Sequence, residues 1–574
     1  MLRLPLVLSC CAAVAAQQTS AAPAANRFVP ADSCLVVRCA SPAKWQKHFA
    51  KTQLAKLIQS PSMAPLLAEF TTGFEEALGR VRTEGNFDPE LLDKLWQEYE
   101  GDLVLSLQLD WDDVPAAAQE GRQPRMSIVA ALSPGEGLDL AALAGELTEQ
   151  MERKATEQRP MRDATIGDLQ VRITGDERMT AMAPTLIDGH LVTVFATSTD
   201  FEPVAARLLA SEGRLEGDST AHPMHVQARL GDAMRVVMPM LAEQMQGQAP
   251  FDIAAVIESL GLASLQDLSL QLDADGPHMT LEFGADLRAD AEGLWGTVMF
   301  AQTPRLLRFV PPSCDWFSTT PFDVGALFAT VKRVWHGLGE DVPLSFDQAM
   351  QAFGEATKVR LEEDLIAHLG TEMLMVDDVE ATTEAAADEE EEYSTLSGSC
   401  IAWALRDGKA FGQSIEALLR SRGLHAARKS EDYADTKIYR LKPGGLVEVE
   451  YAITDDLLVL VLGNSEIARR NLRAVLDARA AAAATAELPA KVQAHVAALP
   501  TGWSGLSVTP VGPLMQGIGN TVQTMLTMQG VDAEELEWAG LLQQIAGDIR
   551  RLGIDHMVGA TWTTKRSLRS RMRW

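Results

Sequence analysis

The feature that most constrains this chain is an internal duplication. Phe28-Val29-Pro30 recurs as Phe309-Val310-Pro311, 281 residues later, and Gly231 recurs as Gly512 at the same spacing. Weaker matches, such as Cys34 with Cys314 and Ser127 with Cys400, keep the same order along both halves, although the lengths of the loops differ. Similarity at a long, fixed spacing indicates that one folding unit is used twice. The sequence therefore predicts two tandem homologous halves.

Within each half, apolar residues follow both helical and strand patterns. Leu66, Phe70, Phe74 and Leu78 recur every four residues, as in the buried stripe of a helix. Leu268, Leu270 and Leu272 alternate with polar residues and precede the turn Asp275-Gly276-Pro277, which is typical of a strand that enters a hairpin. Hairpins outnumber plausible parallel crossovers. We expect an α+β fold of antiparallel sheets backed by helices, with a first repeat at residues 28–305 and a second at 306–574.

Two Ser/Thr-Pro pairs occupy matching positions in the halves. Ser41-Pro42 and Thr320-Pro321 each look like an N-cap followed by proline at the first helical position. Ser41 and Lys44 also satisfy the S-x-x-K spacing of some serine nucleophiles. The second half carries Asp323 where Lys44 stands, so we interpret the segment as a helix cap and assign no catalytic residue.

The N-terminus reads as an export signal. Residues 1–16 combine Arg3 with a short apolar stretch and small residues suitable for cleavage, and residues 17–27 read as a linker. We predict an exported protein, periplasmic or extracellular. An alternative is cleavage before Cys10, which would give a lipoprotein.

The cysteines that remain after cleavage are compatible with an oxidising compartment. They are Cys34, Cys39, Cys314 and Cys400. Four cysteines allow three full disulfide pairings, and sequence alone does not choose among them. No C-x-x-C spacing occurs, so a structural zinc site is not expected.

The charge balance excludes some classes of partner. The chain of 574 residues has 50 Lys and Arg against 79 Asp and Glu, a formal net charge of −29. Binding to nucleic acid or to anionic lipid would need a basic surface, so neither is expected. No apolar run approaches the roughly 20 residues of a membrane span, and we predict none.

A methionine-rich segment holds the weak ligand candidates. His222, Met224 and His225 precede a predicted helix with Met234, and imidazole and thioether groups suit copper. The spacing of Met234, Met238, Leu241 and Met245 is that of a core-facing stripe, so we predict neither a metal nor another cofactor. The alternative is a plastic apolar groove. It would be lined by Met234, Met238, Met245, Met515 and Met525.

The opening of the first half also carries a family resemblance. Phe-Val-Pro-Ala-Asp-Ser-Cys-Leu-Val-Val at 28–37 follows the export signal and precedes a Trp- and Phe-bearing helix. Over residues 28–70 it resembles exported bacterial proteins of a domain-of-unknown-function family whose domains open with a Pro-Ala-Asp strand. In the second half, Pro312-Ser313 replaces Ala31-Asp32. The resemblance implies an envelope location and α+β repeats, and it supplies no catalytic residues.

Taken together, these features favour an exported, non-enzymatic protein of the cell envelope that binds or scaffolds an unknown ligand or partner. One alternative is a carrier of an apolar ligand that uses the methionine-rich helices. Another is an exported hydrolase with a site between the two halves, because active sites assembled from distant residues leave no local motif.

Overall fold

A computed structural model gives the fold of most of the chain. The described residues are 28–30, 32–65, 67–68, 97–155, 160–175, 179–197, 201–209, 223–245, 253–289, 291–338, 344–379, 381, 398–442, 448–463, 465–482, 493, 499, 501–528, 533–554 and 556–574. At 42, 154, 208, 275, 521–528 and 533–539 the description is limited to the backbone.

Two compact units make up the structure. The first comprises Met1–Met240 with Leu265–Ala285, and the second comprises Leu241–Ser264 with Asp286–Trp574. The units therefore do not follow a single break in the chain. Within the second unit, two helices from before residue 305, Ile253–Leu260 and Trp295–Val298, pack on a later helix, Val324–Gly337. The boundary between residues 305 and 306 was predicted for sequence repeats rather than for compact units, and it stays a prediction.

The strands that begin in the first unit are numbered in chain order. They are β1 (Leu35–Ala40), β2 (Asp102–Leu109), β3 (Met126–Leu132), β4 (Arg162–Ile166), β5 (Leu169–Gly175), β6 (Thr180–Met182), β7 (Thr185–Ile187), β8 (His190–Ala196), β9 (Met224–Arg229), β10 (Leu265–Asp275) and β11 (His278–Leu287). Antiparallel pairs give the order β10-β9-β1-β2-β3-β8. Beyond β8, the short strands β7 and β6 both pair with it, and β6 leads to β5 and β4.

The strands of the second unit also pair in one continuous order. Its strands are β12 (Trp316–Pro321), β13 (Leu369–Asp377), β14 (Cys400–Leu405), β15 (Lys429–Tyr433), β16 (Thr436–Leu441), β17 (Val449–Ile453), β18 (Leu457–Leu462), β19 (Gly505–Pro510), β20 (His556–Thr563) and β21 (Ser567–Arg573). Their order is β21-β20-β19-β12-β13-β14-β18-β17-β16-β15, and each of these pairs is antiparallel.

Helices flank both sheets. The described α-helices are α1 (Pro42–Phe49), α2 (Gln53–Ile58), α3 (Val114–Glu120), α4 (Leu140–Lys154), α5 (Phe201–Leu209), α6 (Gly231–Met245), α7 (Ile253–Leu260), α8 (Trp295–Val298), α9 (Val324–Gly337), α10 (Phe346–Thr357), α11 (Gly408–Ser421), α12 (Glu466–Ala482), α13 (Val511–Met528) and α14 (Ala533–Arg551). Short 3₁₀ turns lie at Pro61–Met63, Leu262–Ser264, Leu306–Phe309, Ile366–His368 and His425–Ala427, and a π turn at Leu361–Leu365. None of the described helices combines the length and hydropathy that a membrane crossing requires.

Each sheet buries an aliphatic core under one helix. In the first unit, α5 places Phe201 and Ala205 over Val36, Val129 and Val194. In the second unit, α12 contributes Leu472 and Val475 to a core that also contains Phe317 and Val459. The prediction of α+β architecture with antiparallel sheets and helical backing is confirmed.

The first of the two Ser/Thr-Pro pairs begins a helix, whereas the second lies in a strand. Ser41 caps α1, because its hydroxyl accepts a hydrogen bond from the backbone N–H of Lys44, and Pro42 begins the helix. The expectation for Thr320-Pro321 is wrong. Both residues belong to β12, where they lie opposite Met373 and Glu372. Two residues separate the end of β12 from the start of α9, and Asp323 caps the helix by accepting from the N–H of Ala326 at 3.1 Å.

The predicted hairpin pattern is confirmed in its local elements. Leu268, Leu270 and Leu272 lie on β10, and the turn that follows contains Gly276 with a φ of 58°, a conformation that favours glycine. The predicted helical stripe of Leu66, Phe70, Phe74 and Leu78 lies outside the described residues.

Candidate functional site

The side of the first sheet opposite α5 presents a continuous apolar surface, which we call the leucine face. It is formed by eight members of an apolar cluster that also includes Leu35, and they come from four adjacent strands: Val37, Cys39, Leu103, Leu105, Met224, Val226, Leu270 and Leu272. Strand register places them in two rows. Leu105, Val37, Val226 and Leu270 form one row across β2, β1, β9 and β10, because these residues lie opposite each other in successive pairs.

Burial divides the leucine face into a closed centre and a half-open margin. Val37 and Met224 are 2% and 6% exposed, whereas Leu103, Leu105, Leu270 and Leu272 are half-buried. None of these leucines is among the strongly exposed apolar residues of the chain. The centre of the leucine face is therefore closed to solvent, and its leucines are partly accessible.

Helix α1 closes one end of the leucine face. Trp45 is buried there and packs with Phe49 at a ring-centroid distance of 4.1 Å, and both contact the cluster that includes Leu272. The cap from Ser41 holds the helix at its first turn. Lys44 adds an ion pair with Asp102 at 2.8 Å, so the S-x-x-K lysine is bound to a carboxylate and the serine to a backbone N–H.

The metal candidates do not converge. Met224 and His225 are neighbours on β9, so their side chains lie on opposite faces of the sheet. Met224 belongs to the leucine face, while His225 lies opposite Arg38 on the other face. Met234 lies on α6, and His222 is outside the described residues. Within the described part of the chain, no three His, Cys, Asp or Glu side chains form a metal-binding group.

The core-facing stripe predicted for α6 is only partly right. Met234 and Met238 are half-buried, but Leu241 and Met245 are each 40% exposed. The stripe thus becomes exposed toward the C-terminal end of the helix.

The remaining groove candidates are on α13. Met515 is half-buried, and the side chain of Met525 is outside the described residues. The methionine-lined groove stays a prediction.

A buried carboxylate organises one face of the second sheet, and sequence reasoning missed it. The side chain of Glu450 on β17 is 1% exposed, and Arg440 and Arg469 approach it at 3.0 Å and 3.2 Å. Arg473 lies 3.7 Å away. The available signal was the alternation of Glu448 and Glu450 with apolar residues just before Tyr451, which places both carboxylates on one face of a strand. The arrangement joins α12 to the sheet by charge as well as by packing.

The four cysteines among the described residues, Cys34, Cys39, Cys314 and Cys400, form no disulfide bonds in this structure. Cys314 and Cys400 are fully buried in the same core, where Asn471 lies 3.7 Å from the sulfur of Cys314. Burial, with the nearby Cys314 and Asp377, raises the pKa of the Cys400 thiol well above its ordinary value. Such a thiol is a poor nucleophile, so it is a packing group rather than a reactive one.

A polar cleft of about 240 Å³ opens in the second unit near the start of α11. Gly408, Lys409, Thr454 and Asp455 contribute to its lining, with Arg479 at one side. The guanidinium of Arg479 is already held by Asp456 at 2.6 Å. The cleft is therefore neutralised internally and has little apolar wall.

Comparisons with known proteins identify no family for this chain. No family model matches the chain, and none of the curated proteins matches it. Solved structures of TP0453 share 9% identity in crystal form I and 7% in crystal form III, with TM-scores of 0.22 and 0.23. These matches cover 49% and 50% of this chain, and 84% and 91% of the TP0453 chain. At these scores the similarity supports no inference about fold or function.

Proposed function

We propose that this chain is an exported, non-enzymatic binding module of the cell envelope, and that its leucine face takes up an apolar ligand. The observation that carries the proposal is the set of half-buried leucines on the leucine face. Export rests on the N-terminal signal pattern in residues 1–16. The ligand surface differs from the groove predicted on the methionine helices, since the sheet itself provides it.

The side chains with the best catalytic spacing support a non-enzymatic role. Ser41 accepts from a helix N–H and Lys44 pairs with Asp102. Both groups therefore stabilise α1 in its position at the end of the leucine face.

We also infer that the two units descend from one duplicated module. Matching β1 to β12 makes the strand orders coincide, because β10-β9-β1-β2-β3-β8 corresponds to β20-β19-β12-β13-β14-β18. The core helices α5 and α12 each follow the strand at the same place in this order. The similarity of order supports the duplication independently of residue identity.

Strand register improves the alignment of the halves. Val104 lies opposite Ala131, and Leu374 lies opposite Ala402. If Val104 corresponds to Leu374, then Ala131 corresponds to Ala402, which shifts the sequence match of Ser127 with Cys400 by two residues. The side chains keep the same face after this shift.

The same register changes the match of the first cysteines. Val36 lies opposite Ser106, and Phe317 lies opposite Val376, so Val36 corresponds to Phe317. Cys314 then matches Ser33 rather than Cys34. Both Ser33 and Cys314 are completely buried, which supports the revised alignment.

Titration of a fluorescent long-chain hydrocarbon probe tests the function. Val226→Glu places a carboxylate on the leucine face, and Gln227→Glu places one on the opposite face of the same strand. We expect saturable probe binding by the natural chain and by Gln227→Glu, with an affinity about tenfold lower or weaker in Val226→Glu.

A milder variant separates binding from folding. Leu270→Ala shortens an apolar side chain without adding charge, and we expect weaker probe binding with an unchanged circular dichroism spectrum. Equal binding by all variants would contradict the assignment of the leucine face. No saturable binding by the natural chain would favour a scaffolding role instead.

A further inference from the structure

An arginine lies on the face of the first sheet opposite the leucine face. Arg38 is in the central strand β1, between Val37 and Cys39, so its side chain projects to the other side. It lies opposite His225 on β9, and His225 lies opposite Gln271 on β10. We call Arg38, His225 and Gln271 the polar row. Side chains directly opposite each other on adjacent strands have Cβ atoms about 5 Å apart, so His225 is the neighbour of both Arg38 and Gln271.

No counter-charge lies beside the guanidinium of Arg38 within the described part of the chain. Its Nε is buried and has no hydrogen-bond partner. Burial lowers the pKa of Arg38, and no charged neighbour contributes to this shift. A partly desolvated cation is normally paired, because removal of its hydration is costly without a counter-charge. Arg229 on the same face follows this rule, since Asp267 lies 4.0 Å from it.

A second polar group nearby is also unsatisfied. Ser106 on β2 is 1% exposed, and its hydroxyl has no hydrogen-bond partner. Ser106 lies opposite Val36, so it shares the face of Arg38 on an adjacent strand. Buried polar groups without partners are rare and call for an explanation. Arg38 and Ser106 therefore give this face of the sheet two unsatisfied polar groups.

We propose that the polar row binds an oxyanion, the carboxylate or phosphate group of a small molecule, with Arg38 as its principal contact. The planar guanidinium donates two parallel hydrogen bonds to such a group, and the amide of Gln271 offers a further donor. The carboxylates of β10 on this face do not compete, because Asp267 and Asp273 both have partners of their own. This site is on the opposite face from the leucine face and does not depend on the function proposed above.

Equilibrium dialysis with radiolabelled inorganic phosphate and with radiolabelled acetate tests the proposal at constant ionic strength. We expect saturable binding of at least one of these anions by the natural chain. Arg38→Gln should weaken that binding about tenfold or more, because it removes the charged fork. Arg229→Gln is the matched control, since it removes an arginine from the same face that is already paired. The preferred anion identifies whether the ligand carries a phosphate or a carboxylate.

Thermal unfolding provides a second readout that does not need high affinity. Arg38→Met should raise the melting temperature in anion-free buffer by about 2 °C or more, because an uncompensated cation is replaced by an apolar side chain. The same variant should lose any stabilisation by phosphate or acetate. Absence of saturable binding of both anions, or equal binding by Arg38→Gln, would overturn the proposal. A lower melting temperature of Arg38→Met in anion-free buffer would also contradict it.

Discussion

Arg122 donates two hydrogen bonds to the carboxylate of Asp113, at 2.8 Å and 2.6 Å. The backbone N–H of Arg125 adds a third at 2.7 Å. Together these contacts close the loop that carries α3 between β2 and β3. They hold the pKa of Asp113 well below its ordinary value, and hydrogen bonding by Arg122 is the largest cause.

The Asp113 contacts predict a specific dependence of stability on pH. A carboxyl whose pKa is lower in the folded state stabilises the fold above its unfolded pKa, about 4, and this contribution is lost as the pH falls further. Asp113→Asn should therefore be less stable than the natural chain at pH 7, and the difference should shrink below about pH 4. Urea unfolding at a series of pH values measures it. A difference that stays constant down to pH 2 would show that the charge of Asp113 has no role.

The cap of α1 predicts a modest loss of stability. Ser41→Ala removes the acceptor for the N–H of Lys44 and should lower the free energy of unfolding by about 1 kcal/mol. Ser41→Asp keeps an acceptor and should retain most of the stability. Urea unfolding of the three proteins measures the effect, and similar losses for both variants would argue against a capping role.

The buried carboxylate on β17 predicts a larger loss. Glu450→Ala removes the buried partner of Arg440 and Arg469, which both keep Glu448, and should cost about 1.5–3 kcal/mol. Glu466→Ala is the matched control, because Glu466 also binds Arg469 but is 84% exposed. Its removal should cost about 1 kcal/mol or less. Chemical unfolding distinguishes the two variants. Equal losses of unfolding free energy would contradict the larger contribution assigned to Glu450.

The buried thiols predict slow chemical modification. Cys314 and Cys400 should react with an aromatic disulfide reagent only after denaturant is added, because both are completely buried. Cys34 is half-buried and serves as the internal comparison. Mass spectrometry of modified peptides locates the reacted residues. Rapid labelling of Cys400 in the folded chain would mean that this core opens readily.

Local patterns predicted much of the fold, and long-range pairing explains what they missed. The alternation of Leu268, Leu270 and Leu272 correctly indicated β10. Thr320-Pro321 has a cap-like sequence, yet pairing with β13 keeps it in a strand. No local signal separates these two outcomes, since the neighbouring strand decides them.

The same limit applies to the candidate sites. The leucine face and the polar row each assemble residues from distant segments, such as Arg38 and Gln271. A lone arginine in an apolar strand was visible in the sequence, but its neighbours depend on register. Two of the metal candidates illustrate the opposite case. Met224 and His225 are adjacent in sequence, and strand geometry separates their side chains.

The most direct test of ligand uptake by the leucine face is mass spectrometry of an organic-solvent extract of the protein, purified without detergent. The account predicts a reproducible apolar molecule at about one per chain with the natural protein and with Gln227→Glu, and its loss with Val226→Glu. An extract of the natural protein that contains no apolar molecule would contradict the account. So would equal amounts from both variants, because the leucine face would then not be the binding surface.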